Sequence, residues 1–300
     1  MRPPVFVVGL GRSGTTLTAR ILDRHSHISL CGETHFFPHT SRRRRRARFS
    51  DQEAREILDE LPMTWAGADP DDVLATFRST DRLLRSLFDS ILRARMRRHG
   101  KVRYGEKTPI HFWYLDRLFE WYPDARLVYL VRDPRRVHDS FLRSHFAPGL
   151  RAIERGVVPR ALYWNHGART LGRVRATRPD QVFTLRFEDL VADPEASVRA
   201  LCAFLDEPFE SGMLEVTGEN SSFGDLGERG GIQTQVLTRP FGLPRRTLAA
   251  LEILCGAEMI KQGYEPEWMP RGWIAMLDKV GFYAATRALQ YAARKMRGRP

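Results

Sequence analysis

The chain has 300 residues, 42% of them hydrophobic, a formal net charge of +12 and three cysteines. That length and apolar share suit one large α/β domain or two small ones, with a full core, and exclude large-scale disorder. Cys31, Cys202 and Cys255 are too few and too scattered for a disulfide framework or a structural zinc site. The positive surplus, mostly arginine and including the block Arg42 to Arg46, favours anionic partners. The block has no interleaved aromatics, so it reads as a solvated loop face and no nucleic-acid partner is expected.

The first predicted element is a strand, Val5 to Val8. It runs into Gly9-Leu-Gly-Arg-Ser-Gly-Thr-Thr16, and a helix-compatible segment, Leu17 to Arg24, follows directly. Strand, glycine-rich turn and helix start together make a phosphate cradle, because exposed backbone N–H groups and the positive helix end converge on one point. Gly9, Gly11 and Gly14 let the backbone wrap closely around an anion. The spacing Gly9-x4-Gly14 matches the P-loop of nucleotide triphosphatases, but Thr15 stands where the phosphate-binding lysine is expected. A cradle without that lysine points to a different phosphate ester. Met-Arg-Pro-Pro at the start lacks a signal-peptide layout, and no apolar run reaches the ~18 residues of a membrane span. The expectation is a cytoplasmic protein.

A weak strand over Ser29 to Cys31 leads to Gly32-Glu33-Thr34, where a carboxylate after a glycine turn could act as general base if its proton affinity is raised. Apolar periodicity predicts helix over Asp71 to Arg98 with a break near Ser79–Asp81. In Tyr104-Gly-Glu-Lys-Thr-Pro109, Pro109 holds Thr108 out of the helical region, which places Lys107 on extended or turn backbone. A lysine there can act as a point charge on a transferring group. A helix over Leu115 to Trp121 is ended by Pro123, and the continuously apolar Arg126 to Val131 reads as a central parallel strand.

Arg132 follows that strand, and Asp133-Pro134 is a helix start signal. Arg132 offers a planar fork suited to phosphate, and Ser140, about two turns along the helix, can donate to the same anion. The competing reading is a local salt bridge from Arg132 to Asp133. A further strand, Gln181 to Arg186, precedes a second Asp-Pro helix start at Asp193-Pro194. Gly218 to Gly242, rich in Gly, Ser and Asn, reads as a long loop whose length suits a functional lid or plain flexibility. Trp273 to Arg299 reads as a basic helix, with docking on the protein's own core favoured over membrane binding.

Strands alternating with helices predict a P-loop-type, doubly wound parallel α/β sheet flanked by helices in a single domain. Such sheets bind ligands at the C-terminal ends of their strands, where both the Gly9–Thr16 loop and Arg132 fall. Residues 1–268 are assigned to the domain and 269–300 to a basic helical extension.

The motifs together resemble the sulfotransferases that use 3′-phosphoadenosine-5′-phosphosulfate (PAPS), in the branch that includes tyrosylprotein sulfotransferases and many bacterial relatives. Arg12-Ser-Gly-Thr-Thr16 resembles the 5′-phosphosulfate loop, and Val131-Arg-Asp-Pro-Arg-Arg-Val-His-Asp-Ser140 the 3′-phosphate segment with the same Arg-to-Ser spacing. Gly32-Glu33-Thr34 is similar to the segment of the catalytic glutamate, and Glu106-Lys107-Thr-Pro109 to that of the catalytic lysine. Leu185 to Val191 and Gly263-Tyr-Glu-Pro266 also look like family landmarks. The likeness is continuous over roughly residues 4 to 145 and patchier to 268.

The resemblance implies in-line sulfuryl transfer from PAPS to an acceptor hydroxyl, with no metal required. Glu33 would be the base, and Lys107 and Arg12 would stabilise charge. Gly11, Arg12, Ser13, Gly14, Thr15, Thr16, Arg132, Ser140 and Arg239 would hold the donor. His35, Glu106 and His111 stay open as rival bases, and Phe187 stands where some relatives have Tyr. Thr234 and Gln235 join Arg239 as candidates for the loop closing over the nucleotide. The acceptor is a sugar, lipid, peptide or small metabolite, with peripheral membrane contact through the C-terminal helix still open. The alternatives are a P-loop kinase-like phosphotransferase, which would need a loop lysine and a Walker-B aspartate, and a non-catalytic basic adaptor.

Overall fold

Val5, Phe6, Val7 and Val8 are each 0% exposed, because their strand lies at the centre of a sheet covered on both faces. The computed structural model describes residues 2–41, 48–144, 156–216, 232 and 234–267. The arginine block, most of the expected long loop and the expected C-terminal helix lie outside the described residues. The chain divides into two compact units, Met1–Leu130 with Val174–Leu237 and Val131–Arg173 with Thr238–Pro300.

The first unit is built on β1 (Val5–Gly9), β2 (Ile28–Cys31), β3 (Arg103–Lys107), β4 (Arg126–Val131) and β5 (Val182–Arg186), in the order β2-β3-β1-β4-β5. β1 pairs in parallel with β3 and β4, and β2 with β3. Val7 faces Lys107 across one pair, Cys31 faces Glu106 across another, and Gly9 faces Leu130 across the third. Through this register the C-terminal ends of β1, β2 and β3 lie side by side.

Helices connect the strands, in chain order α1 (Thr15–Asp23), α2 (Phe36–Thr40), α3 (Asp51–Glu60), α4 (Met63–Ala66), α5 (Pro70–Phe77), α6 (Leu84–Arg98) and α7 (Leu115–Trp121). After them come α8 (Pro134–Leu142), α9 (Val157–Thr177), α10 (Phe187–Ala192), α11 (Pro194–Phe204), α12 (Gln235–Thr238) and α13 (Arg245–Lys261). Alternation along β1 splits the core of the first unit. Val5 and Val7 pack with Ile21, Leu22, Leu185, Val198 and Leu201. Phe6 instead meets Phe88 and Tyr122, at ring-centroid separations of 6.3 and 5.3 Å.

The fold class, the break between α5 and α6, helix α7 and strand β4 agree with the sequence reading. β3 does not appear there as a strand. Its residues, Arg-Tyr-Gly-Glu-Lys, contain no apolar run, yet all are buried. The second unit packs α8 against α13. Among the described residues no helix is long and apolar enough to cross a membrane.

Candidate active site

Three strand ends supply the site in the first unit. From β1 the chain enters the Gly9–Thr16 loop, where Gly9 has φ 145° and a Cβ would lie 2.4 Å from the Leu130 carbonyl oxygen. Arg12 takes a left-handed conformation at φ 73°. The Ser13 N–H donates to the Leu10 carbonyl at 3.1 Å, which closes the loop onto α1. Gly14 caps α1 without any side-chain cap, so no side chain competes for the N–H groups of the first turn. The Ser13 hydroxyl is buried and has no hydrogen-bond partner among the described residues. An unpartnered buried hydroxyl beside an uncapped helix start fits an anionic donor group.

From β2 the chain turns through Gly32 into Glu33, and β3 ends on Lys107. The Lys107 ammonium donates to Glu33 Oε1 at 2.6 Å and to the Thr16 hydroxyl at 3.3 Å. The lysine missing from the loop sequence is therefore supplied in space, from a neighbouring strand, at the start of α1. Glu33 Oε2 also meets His35 Nε2 at 3.1 Å. Burial pushes the Glu33 carboxyl up, but the His35 hydrogen bond and the Lys107 charge overrule it and hold it down at about 2. The sequence reading made base catalysis conditional on a raised proton affinity. In this state the shift is the opposite, because the carboxylate is hydrogen-bonded by His35 and faces the Lys107 ammonium.

The rival bases separate by burial. Glu106 and His111 are both 0% exposed, whereas His35 is partly exposed and stands beside the Trp65 ring, 6.5 Å between centroids. Trp65 is 60% exposed, and its backbone oxygen would lie 2.0 Å from a Cβ on Gly32. Phe187 sits on the loop itself: a Cβ on Gly14 would lie 2.4 Å from its ring. Neither Trp65 nor the Phe187–Gly14 contact was marked by any sequence signal. The Gly-x4-Gly spacing hinted only that the second glycine had to remain bare.

The second unit holds Arg132, Ser140 and Arg239. The Trp164 indole N–H donates to the Arg132 carbonyl at 2.8 Å, which fixes that backbone. Asp133 caps α8 through the Arg135 N–H at 2.8 Å and pairs with the Arg135 guanidinium at 2.7 Å. Asp133 is thus a cap committed to Arg135, the role a Walker-B aspartate does not have. Ser140 is buried on α8. The segment bearing Arg239 docks on the same helix: Arg136 donates to the Arg239 carbonyl, and the Gly242 N–H donates to Asp139 Oδ1 at 3.2 Å. The Arg136 guanidinium lies 3.9 Å from the Phe241 ring centroid. Thr234 and Gln235 are exposed at the start of α12.

The fold is a P-loop-type α/β sheet, and its glycine-rich loop runs into an uncapped helix start with no lysine in the loop. Residues 3–211 match the model of the sulfotransferase family, and the chain belongs to that family. Protein-tyrosine sulfotransferase 1 of Danio rerio is 28% identical over 216 residues, covering 71% of this chain and 55% of that protein. The omega-hydroxy-beta-dihydromenaquinone-9 sulfotransferase Stf3 of Mycobacterium tuberculosis (strain CDC 1551 / Oshkosh) is 27% identical, covering 66% and 61%. An uncharacterized protein of Aquifex aeolicus is 27% identical over 71% of this chain, which spans only 26% of that relative. Among solved structures, the sulfotransferase domain from the curacin biosynthetic pathway superposes with a TM-score of 0.63 at 19% identity, covering 89% of this chain and 99% of that one. It shares the fold. Family membership leaves the kinase-like alternative without support.

Proposed function

We propose that this chain transfers a sulfuryl group from PAPS to an acceptor hydroxyl. The observation that carries the reading is Lys107, held between Glu33 and the first turn of α1 at the phosphate loop. The acceptor oxygen attacks sulfur, the bond from sulfur to the 5′-phosphate oxygen breaks, and the acceptor proton passes to Glu33. Lys107 and Arg12 balance the charge that grows on the transferring and leaving oxygens. When Lys107 turns from Glu33 to those oxygens, the carboxylate loses a cationic partner and its proton affinity rises toward what a base needs. Gly11, Ser13, Gly14, Thr15 and Thr16 hold the 5′ side of the donor, Arg132 and Ser140 the 3′-phosphate, and Arg239 belongs to the loop that closes over the nucleotide.

Positive charge from side chains does the work of a metal in this scheme, so transfer is expected to survive a chelator. The acceptor is a hydroxyl compound that reaches Glu33 past His35 and Trp65. The names of the Danio and Mycobacterium relatives specify a protein tyrosine and an omega-hydroxy menaquinone derivative, both hydroxyl acceptors. A cytoplasmic setting is part of the same reading.

Calorimetric titration with 3′-phosphoadenosine-5′-phosphate, the spent donor, tests the proposal. Micromolar binding without metal is expected, lost in Arg132→Ala and Ser140→Ala and largely kept in Lys107→Ala. Lys107→Ala and Glu33→Gln should each lower turnover by roughly 10²–10⁴-fold. Preference for ATP with Mg²⁺, or no binding at all, would overturn the reading.

A further inference from the structure

β3 places two charged residues next to each other in sequence and, by strand alternation, on opposite faces. Lys107 goes to the reacting groups. Glu106 goes inward and is 0% exposed. Its Oε1 accepts from the Thr34 hydroxyl at 2.8 Å, from the Thr34 N–H at 3.3 Å and from the Thr108 hydroxyl. Its Oε2 meets His111 Nδ1 at 3.1 Å, and the imidazole is also 0% exposed. Thr108 in turn accepts from the N–H groups of Thr34 and His35, at 3.1 and 3.4 Å.

Every one of these donors belongs to the Gly32–His35 turn or to the residues just after Lys107. A buried carboxylate is costly unless its lone pairs are filled, and an apolar side chain would fill the same space more cheaply. What the carboxylate adds is a fixed turn. That turn carries Glu33 on one side of Thr34 and His35 on the other, the latter held at φ 50°, where a side chain is strained. On its other flank Gly32 is pressed against the Trp65 carbonyl, so the turn has no slack in that direction.

We propose that Glu106 is a positioning residue for the transfer reaction: through Thr34 and Thr108 it fixes the Gly32–His35 turn and so sets Glu33 against Lys107 and His35. The proposal rests on the reading that Glu33 and Lys107 are the reacting groups. Glu106→Gln is the informative substitution because it keeps the shape. The Thr34 N–H cannot turn away, so the glutamine oxygen must face it and the amide NH₂ must face His111 Nδ1. His111 then has to carry its proton on Nε2, which has no hydrogen-bond partner among the described residues and belongs to a ring 4.7 Å from that of Phe37. The clamp loosens while the core stays filled.

The test follows the Glu33 carboxyl by ¹³C NMR across pH in the parent, in Glu106→Gln and in Glu33→Gln, the last for assignment. Melting temperature and affinity for 3′-phosphoadenosine-5′-phosphate are measured alongside. In the parent the Glu33 signal should stay that of a carboxylate down to about pH 3. In Glu106→Gln it should titrate in the ordinary glutamate range, near ~4.3, with nucleotide affinity within about twofold of the parent. PAPS turnover with p-nitrophenol as probe acceptor should fall at least about tenfold in kcat with little change in KM, and the loss should not add to that of Glu33→Gln. An unchanged Glu33 titration in a folded Glu106→Gln protein would overturn the proposal. Failure of the parent to bind the nucleotide would instead sink the sulfotransferase reading, and the Glu33 titration would still decide whether Glu106 holds the turn. If Glu106→Gln does not fold, Thr108→Val, which removes one arm of the clamp and keeps the volume, is read by the same titration.

Discussion

Gly14 shows how a single residue carries two constraints at once. Its φ of 92° is one an L side chain rarely adopts, and the Phe187 ring occupies the space a Cβ would take. Gly14→Ala should therefore destabilise the protein by on the order of 1–3 kcal/mol and weaken nucleotide binding, as read by urea unfolding and calorimetry. Adding Phe187→Ala should return only part of the lost stability, since it relieves the clash and leaves the backbone strain. Full recovery in the double variant would show that the conformation of Gly14 costs little. Lys107 carries a different kind of constraint: only the register Val7–Lys107 brings it near the end of β1.

Among the elements, helices α3, α5, α8 and α11 begin where the sequence provides a side-chain cap. Asp69, Asp133 and Asp193 each precede a proline at the first turn and accept from backbone N–H groups of their helices. Ser50 and Glu53 form a reciprocal capping box at α3. The Asp193 cap on α11 bonds the Ala196 N–H at 3.0 Å on the exposed surface. Asp193→Ala should cost about 1 kcal/mol in chemical denaturation without altering nucleotide affinity. A change in affinity would mean that α11 does more than frame the sheet. β3 is the opposite case, an element held by its neighbours instead of by its own composition. Parallel partners on both sides bury Arg103, Glu106 and Lys107, and carboxylates from outside the strands, Glu207 and Glu33, pair with Arg103 and Lys107.

For the molecule as a whole, the beginning of the chain, β2, β3 and the segment after α11 are joined by one buried carboxylate. Glu207 pairs with Arg103 at 3.1 Å, with His27 at 2.9 Å and with Arg2. Arg103 itself is 1% exposed and also donates to the Pro3 carbonyl at 2.7 Å. Burial raises the Glu207 proton affinity, but the hydrogen bonds from Arg2, His27 and Arg103 and the Arg2 charge overrule it and hold the carboxyl down at about 2. A group depressed on folding stabilises the protein fully above its unfolded value, ordinarily near 4.5, and this contribution disappears as pH falls toward 2. Glu207→Gln should then lower the melting temperature most above pH 5, with the gap to the parent closing between 4.5 and 2. The loss at neutral pH should be roughly 3–5 kcal/mol, because the variant leaves Arg103 buried without its carboxylate. A gap that is constant with pH would mean that Glu207 acts by shape alone.

The sequence by itself determined what local chemistry can specify. Gly9-x4-Gly14 between an apolar strand and a helix, the Asp-Pro caps, and Leu127 to Val131 as a buried strand could be read because each signal lies within a few residues of its consequence. The candidate residues Glu33, Lys107, Arg132 and Ser140 could be picked out by resemblance and residue type. Their arrangement could not. Only the parallel register set Lys107 at the foot of α1 in place of a loop lysine. Only burial separated Glu106 and His111 from His35, and only the groups around Glu33 decided that its proton affinity falls instead of rising. Those outcomes depend on groups about 70 to 90 residues apart meeting in a medium of low polarity, where pair energies are set by distance and desolvation and not by order along the chain.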